Sequence, residues 1–108
     1  MPAVRDKAKQ YVVLTCTFRR EDGKVTAECQ ELGTATFGRN LAEAEKRLRE
    51  AILLHLNTLE DVGERARFFR EHGIKTYSRY PEAAHPTIPT EVLSKVQVVS
   101  VDRRFAFA

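Results

Sequence analysis

Apolar residues recur at intervals of three and four along residues 40–59, NLAEAEKRLREAILLHLNTL. This spacing places one apolar stripe along a helix, as in amphipathic helices that pack on a protein core. The stripe consists of Leu41, Ala44, Leu48, Ile52, His55 and Leu59, and it is widened by Ala51 and Leu56. Asn40 supplies an N-cap oxygen, and Glu43 three residues later completes a start that is similar to a capping box. The pattern therefore predicts an amphipathic helix from Asn40 to Leu59.

Two segments before this helix alternate apolar and polar residues, which is the period of a β-strand. They are YVVLTCTF at 11–18 and KVTAECQ at 24–30, and the Asp22-Gly23 pair lies between them. An Asp-Gly pair favours a two-residue hairpin turn. With that turn, Cys16 faces Cys29, and one side of the ribbon is apolar. That side consists of Val12, Leu14, Cys16, Phe18, Val25, Ala27 and Cys29.

Shorter patterns follow each of these elements. The segment TATF at 34–37 lies between two glycines and predicts a third strand at or near the edge of the sheet. Residues 60–72 continue the helical spacing, although Gly63 favours a break or a bend within them. Gly73 is the expected C-cap of this second helix. The sequence thus predicts three strands, a long helix and a shorter helix, in that order.

The C-terminal third combines prolines with a late strand. Residues 77–89 contain three prolines and should be irregular and extended. The segment VQVVSV at 96–101 predicts a fourth strand, and the chain ends in FAFA. An apolar strand of this kind needs a sheet edge, either in its own domain or in another subunit.

The predicted fold class is α+β: a small antiparallel sheet in strand-strand-strand-helix order packs against one long amphipathic helix, with a second helix after it. A chain of 108 residues suits one domain with a modest core. We expect a polar N-terminal arm at 1–10 and an α+β domain at 11–75. A proline-containing extension at 76–108 should carry the C-terminal strand, packed on the same domain or on a neighbouring subunit.

Composition narrows the class of protein. The net charge is +3, and most of the excess lies in Arg5, Lys7, Lys9, Arg19 and Arg20 near the N-terminus. This distribution favours a solubility surface over a site for an anionic partner. No apolar run is long enough to span a bilayer, and the N-terminus lacks an apolar signal segment. We therefore expect a cytoplasmic protein without membrane contact.

No catalytic motif emerges from the sequence. There is no Gly-rich phosphate loop, nucleophile elbow or histidine-rich metal pattern. His55 lies on the apolar stripe and is interpreted as a packed or interfacial residue, His72 lies near a helix end, and His85 has no identifiable partner. No inward-facing strand position carries an acid that could hold a metal for nucleic-acid hydrolysis. We expect a non-enzymatic protein without catalytic, cofactor-binding or metal-ligating residues and without a cofactor.

Two further hypotheses concern the cysteines and nucleic acid. Because Cys16 faces Cys29 in the predicted register, the pair could be redox-active. We favour the interpretation of two small buried apolar residues, since directly facing strand residues make a strained disulfide. For nucleic acid, no strand alternates basic and aromatic residues, and no helix-turn-helix pattern is present. The basic arm alone supports weak contact with phosphates.

The order of these elements resembles the HicB-like antitoxin family. The resemblance covers about residues 11–60 and rests on YVVLTCTF, on EDGKVTAECQEL, on Gly38-Arg39-Asn40-Leu41, and on Glu43-Ala44 leading into LREAILLHL. Family members have a Pro-Glu-Leu-Pro-Gly-Cys segment before the helix. Residues 30–34, QELGT, occupy its place here, so both prolines and the cysteine of this segment are absent.

The resemblance implies a small antiparallel sheet carrying one helix, similar to a reduced ribonuclease H fold without catalytic acids. Residues 11–75 would then form a HicB-like α+β domain. Family members bind and neutralise small ribonuclease toxins, and many carry a DNA-binding module for which residues 61–108 offer no counterpart. The resemblance therefore implies that the chain is an antitoxin-type protein–protein interaction domain of a toxin–antitoxin system. The alternative is a stand-alone nucleic-acid-binding regulatory protein without a recognisable helix-turn-helix. The tail and the open sheet edges also predict a homo-oligomer, a dimer or larger.

Overall fold

The structure is a computed structural model, and it describes residues 10–81, 93–101 and 104–107. Its elements are β1 (Gln10–Glu21), β2 (Lys24–Cys29), β3 (Thr34–Gly38), α1 (Leu41–Asp61), α2 (Arg65–Glu71), β4 (Leu93–Val101) and β5 (Phe105–Phe107). The strands form one antiparallel sheet in the order β3-β2-β1-β4-β5. The predicted α+β class is confirmed.

The hairpin of β1 and β2 has the predicted turn and register. Asp22 and Gly23 have φ angles of 49° and 77°, the left-handed values that a two-residue turn of this kind requires at both positions. Cys16 pairs with Cys29, and Glu21 pairs with Lys24. The turn therefore sets which face of the ribbon is apolar.

Helix α1 begins with the predicted cap. Asn40 Oδ1 accepts a hydrogen bond from Glu43 N at 2.8 Å, and Glu43 Oε1 accepts one from Arg39 N at 2.8 Å. The reciprocal bond thus reaches the residue before the N-cap rather than the N-cap itself. The bond from Glu43 N satisfies one of the backbone N–H groups that a helix start leaves without partners.

Gly63 ends α1, as the sequence predicts for a break at this position. Its φ is 73°, and its N–H donates to Glu60 O at 3.2 Å, while Glu64 N donates to Leu59 O at 2.9 Å. These two bonds form a Schellman motif, in which a glycine at positive φ satisfies the last carbonyls of a helix. α1 therefore extends two residues beyond the predicted Leu59, and Gly73 ends α2 in the same way.

The core lies between α1 and one face of the sheet. The helix contributes Ala44, Leu48, Ile52 and Leu56, and the strands contribute Val12, Leu14, Cys16, Phe18, Val25, Ala27, Cys29, Val99, Val101 and Phe105. Phe69 of α2 and Ile74 after it also join this cluster. Both helices therefore lie on the same side of the sheet.

The C-terminal strands complete the same sheet. β4 pairs with β1 from Phe18↔Leu93 to Gln10↔Val101, so the late strand uses an edge in its own domain. It begins three residues before the predicted segment at 96–101. β5 adds a fifth strand that the pattern did not predict, and β1 becomes the central strand of the sheet.

Candidate functional site

The face of the sheet opposite α1 carries no helix within the described residues. Because successive residues of a strand point to opposite faces, the register assigns this open face. It consists of Tyr11, Val13, Thr15, Thr17, Arg19 and Glu21 of β1, Lys24, Thr26 and Glu28 of β2, Ala35 and Phe37 of β3, Val96, Val98 and Ser100 of β4, and Ala106 of β5.

Aromatic side chains occupy both ends of the open face. At one end Tyr77 forms an antiparallel bridge with Tyr11, and the Tyr80 ring meets the Tyr11 ring edge-on with centroids 5.5 Å apart. At the other end the Phe37 side chain is 50% exposed, and Lys24 Nζ lies 5.0 Å from its ring centroid. Exposed aromatic rings of this kind are enriched at protein interfaces.

The middle of the open face is formed mainly by hydroxyl and aliphatic groups. Thr17 Oγ1 accepts a hydrogen bond from Gln30 Nε2 at 2.9 Å. A shallow cavity of about 250 Å³ lies here, and its lining residues are Thr17, Arg19, Glu21, Thr26, Ala27, Glu28 and Ala35. The cations Arg19 and Lys24 lie toward the hairpin end, so no continuous basic track crosses the described part of this face.

Side chains from α1 bond to backbone groups at both edges of the sheet. Arg47 Nη1 donates to Phe37 O of β3 at 3.2 Å. Asn57 bonds β5 twice: its Oδ1 accepts from Phe105 N at 2.7 Å, and its Nδ2 donates to Phe105 O at 3.3 Å. These contacts occupy groups that an added strand would need, which is a common way of protecting an edge.

A polar cluster bridges α1 and β4 on the helix side of the sheet. Lys95 Nζ lies 3.1 Å from Glu45 Oε1, Gln97 Nε2 donates to Glu45 Oε2 at 3.2 Å, and Arg49 Nη1 donates to Gln97 Oε1 at 2.9 Å. The Arg49 guanidinium also lies 3.9 Å from the centroid of the Phe107 ring. Sequence reasoning missed this cluster, because only the β1–β4 register turns Lys95 and Gln97 toward the helix.

His55 and His72 are brought close together by α2. His55 Nδ1 is 3.1 Å from Thr34 Oγ1, and the Phe68 ring meets His55 edge-on at 5.2 Å. The His72 ring stacks on the Phe68 ring, and their centroids are 3.9 Å apart. Burial, and secondarily the charge of His72, lower the pKa of His55 below its ordinary value. His55 therefore packs between α1 and β3, with the Phe68 ring of α2 against it.

The thiols of Cys16 and Cys29 contact each other in the core. Both cysteines are free, and their exposed fractions are 1% and 0%. The interaction between the two thiols raises the pKa of Cys16, which burial raises further, and it lowers the pKa of Cys29. Cys29 is therefore the thiol of this pair that ionises first.

Glu31 lies beside this pair at the end of β2. Its Oε1 accepts a hydrogen bond from Thr15 N at 2.7 Å, and Cys29 Sγ lies 3.9 Å from the same oxygen. Glu28 is exposed on the open face, and Asp22 is in the turn. Within the described residues no group of three or more histidine, cysteine or acidic side chains could hold a metal ion.

Several residues considered from the sequence lie outside the described residues. They are Arg5, Lys7 and Lys9 of the basic arm and His85 of the proline-containing segment. In the part of the chain that is described, no helix is long and apolar enough to cross a membrane.

Comparisons of the chain with protein-family models, with curated proteins and with solved structures return no match.

Proposed function

We propose that this chain is a non-enzymatic interaction protein of the HicB-like antitoxin type, which binds and neutralises a small basic ribonuclease toxin. The observation that supports the proposal is the open face, an antiparallel sheet surface without a helix over it in the described residues and with aromatic side chains at both ends. The hairpin, the short third strand and the Asn40-capped helix follow one another as in the sequence pattern of that family.

The chemistry of the open face favours a protein partner over a nucleic acid. Its centre presents threonine hydroxyls, valine methyl groups and the carboxylate of Glu28, a mixture that suits the core and rim of a protein interface. A nucleic acid needs cations along its phosphate backbone, because neutralising phosphates provides most of the affinity. Glu28 in the middle of the face would repel phosphates.

A second candidate function is binding of single-stranded nucleic acid at the hairpin end of the open face. Phe37 is half exposed beside Lys24, and Arg19 lies on the same side of the sheet. An exposed ring next to cations is the usual platform on which a base stacks. This candidate predicts affinity that decreases steeply with salt.

Purification of the tagged full chain from its native host tests the leading proposal. We expect a small basic protein to co-purify in a stoichiometric amount and its ribonuclease activity to be inhibited in the complex. Thr17→Arg places a large charged side chain in the centre of the open face and should abolish the association. Ala42→Arg, which adds the same group to the exposed side of α1, is the matched control and should retain the partner.

Recovery of the chain without any such partner would contradict the antitoxin proposal. Titration with single-stranded RNA and DNA at two salt concentrations separates the second candidate. Binding at low salt that Phe37→Ala removes would favour nucleic acid, and absence of binding at low salt would exclude it.

Self-association belongs to the same proposal. β4 and β5 pair within their own sheet, so the predicted C-terminal strand does not need the sheet edge of a second subunit. What supports a homo-oligomer is the open face, which a second copy would cover when no toxin is bound. Light scattering of the full chain at increasing concentration measures it, and a monomer at every concentration would refute it.

A further inference from the structure

The position of Cys16 and Cys29 in the β1–β2 ladder determines how closely their side chains approach. In the adjacent pair, Thr15 and Gln30, Gln30 N donates to Thr15 O at 2.9 Å. Hydrogen-bonded and non-hydrogen-bonded pairs alternate along an antiparallel ladder, so Cys16 and Cys29 form a non-hydrogen-bonded pair. In such pairs the Cα atoms are about 4.5 Å apart and the side chains approach most closely. This separation lies at the lower end of the range that a disulfide spans, roughly 4.4 to 6.8 Å.

The surroundings of the pair place it near solvent without exposing it. Both sulfurs are buried beneath α1, but Glu31, whose carboxylate lies 3.9 Å from Cys29 Sγ, is only half buried. Thr15 N fixes that carboxylate at 2.7 Å. The partly exposed Glu31 side chain therefore contacts the buried Cys29 sulfur.

We propose that Cys16 and Cys29 form a redox modification site, at which a small peroxide converts the two thiols into an intramolecular cross-strand disulfide that a dithiol reductant reverses. This redox site requires neither a toxin nor a nucleic acid.

The oxidation takes place in two balanced steps. The Cys29 thiolate attacks one peroxide oxygen, so an S–O bond forms, the O–O bond breaks, and the departing hydroxide takes a proton to become water. The Cys16 sulfur then attacks the Cys29 sulfenic acid, an S–S bond forms, and the S–O bond breaks with release of a second water that carries the Cys16 proton. Two electrons pass from the thiols to the peroxide.

Burial and strain define the properties of this site. A sulfur without exposed surface reacts slowly with a bulky oxidant such as a protein disulfide or oxidised glutathione, whereas hydrogen peroxide is close to water in size and reacts faster. A short Cα separation strains the cross-link, and strained disulfides are more readily reduced than structural ones. The expected product is therefore reversible.

Treatment of the folded full-length chain with hydrogen peroxide, followed by alkylation in denaturant and intact-mass measurement, tests the proposal. We expect the mass to fall by that of two hydrogen atoms and the alkylated thiols to fall from two to none, with full recovery after dithiothreitol. Circular dichroism before and after treatment verifies that the fold persists. Oxidised glutathione at the same concentration should react far more slowly.

Cys16→Ser and Cys29→Ser each remove one sulfur and should abolish the mass loss, and Cys16→Ala and Cys29→Ala serve if a serine variant does not fold. The wild-type measurement is decisive without them. Two alkylated thiols after peroxide, oxygen adducts without the loss of hydrogen, disulfide-linked dimers, or a mixed disulfide with glutathione would each overturn the proposal.

Discussion

Gly38 at the end of β3 lies so close to Ala44 in the first turns of α1 that a side chain on residue 38 would not fit. A Cβ atom placed on Gly38 would lie 2.5 Å from Ala44 N and 2.9 Å from Ala44 Cα. Both contacts are to helix backbone, which cannot rotate away as a flexible side chain can. The glycine therefore sets the distance between the helix and the edge strand.

Gly38→Ala should lower the free energy of unfolding by about 3 kcal/mol, because the added methyl group pushes α1 away from the sheet. Denaturant unfolding followed by circular dichroism measures the change. Gly33→Ala is the control, since a Cβ there meets nothing within 4 Å. An alanine held at the φ of 70° that Gly33 adopts should lower the free energy of unfolding by only about 1–2 kcal/mol. Equal losses in the two variants would contradict the close-packing argument.

Loss of the cap should weaken α1 at its start. Asn40→Ala removes the oxygen that accepts from Glu43 N, and we expect a destabilisation of about 1 kcal/mol. Asn40→Ser keeps an acceptor at this position and should remain within a few tenths of a kcal/mol of the wild type. An alanine variant as stable as the serine variant would show that the cap contributes nothing.

The half-buried His55 should make stability depend on pH. Its folded pKa lies below 6.5 because of burial and the charge of His72, so the unfolded chain binds more protons as the pH falls through 6.5. The free energy of unfolding should therefore decrease from pH 6.5 down to the folded pKa and not change further on account of His55 below it. Unfolding measured across this range, with His55→Gln as the variant without the titration, tests the sign.

Nuclear magnetic resonance titration of the His55 ring measures its pKa directly and so assigns the pH dependence of stability to this residue. His72→Gln removes the second cause and should raise the pKa of His55 toward 6.5. A wild-type His55 that titrates above 6.5 would contradict the arrangement with Phe68 and His72.

Asn57 should protect β5. Asn57→Ala removes both hydrogen bonds to the Phe105 backbone and should cost about 1–3 kcal/mol, since it leaves a buried donor without a partner. Faster hydrogen exchange of the Phe105 amide and concentration-dependent aggregation are expected as well, because an edge strand is uncovered. Thr58→Ala, on the exposed side of the same turn, should change neither quantity. Unchanged exchange in the Asn57 variant would contradict the protective role.

Local signals predicted the parts of the fold that are close in sequence. The Asp22-Gly23 turn allows only one register for the strands beside it, so the Cys16–Cys29 pairing follows from the turn alone. The cap at Asn40 and the break at Gly63 are likewise decided by neighbouring residues. Elements of this kind need no knowledge of tertiary structure.

Features that join distant segments could not be predicted in the same way. The Lys95–Glu45 contact depends on a pairing between β1 and β4 that no local signal specifies. β5 has three residues, too few to establish a period of two. The open face was missed for a related reason, since Tyr77, Phe37 and Val96 share a surface only after the five strands are ordered.

The central position of β1 has a consequence for how the chain folds. Its two neighbouring strands differ in sequence separation. β2 is joined to β1 by a two-residue turn, whereas the β1–β4 pairing connects distant residues such as Gln10 and Val101. Pairing of β1 with β4 requires a long loop to close before any contact between them forms, and this slows folding. During synthesis on the ribosome the hairpin and α1 emerge well before β4, and until β4 arrives one side of the central strand has unpaired backbone groups. The nascent chain is therefore most vulnerable to misassociation in the interval between α2 and β4.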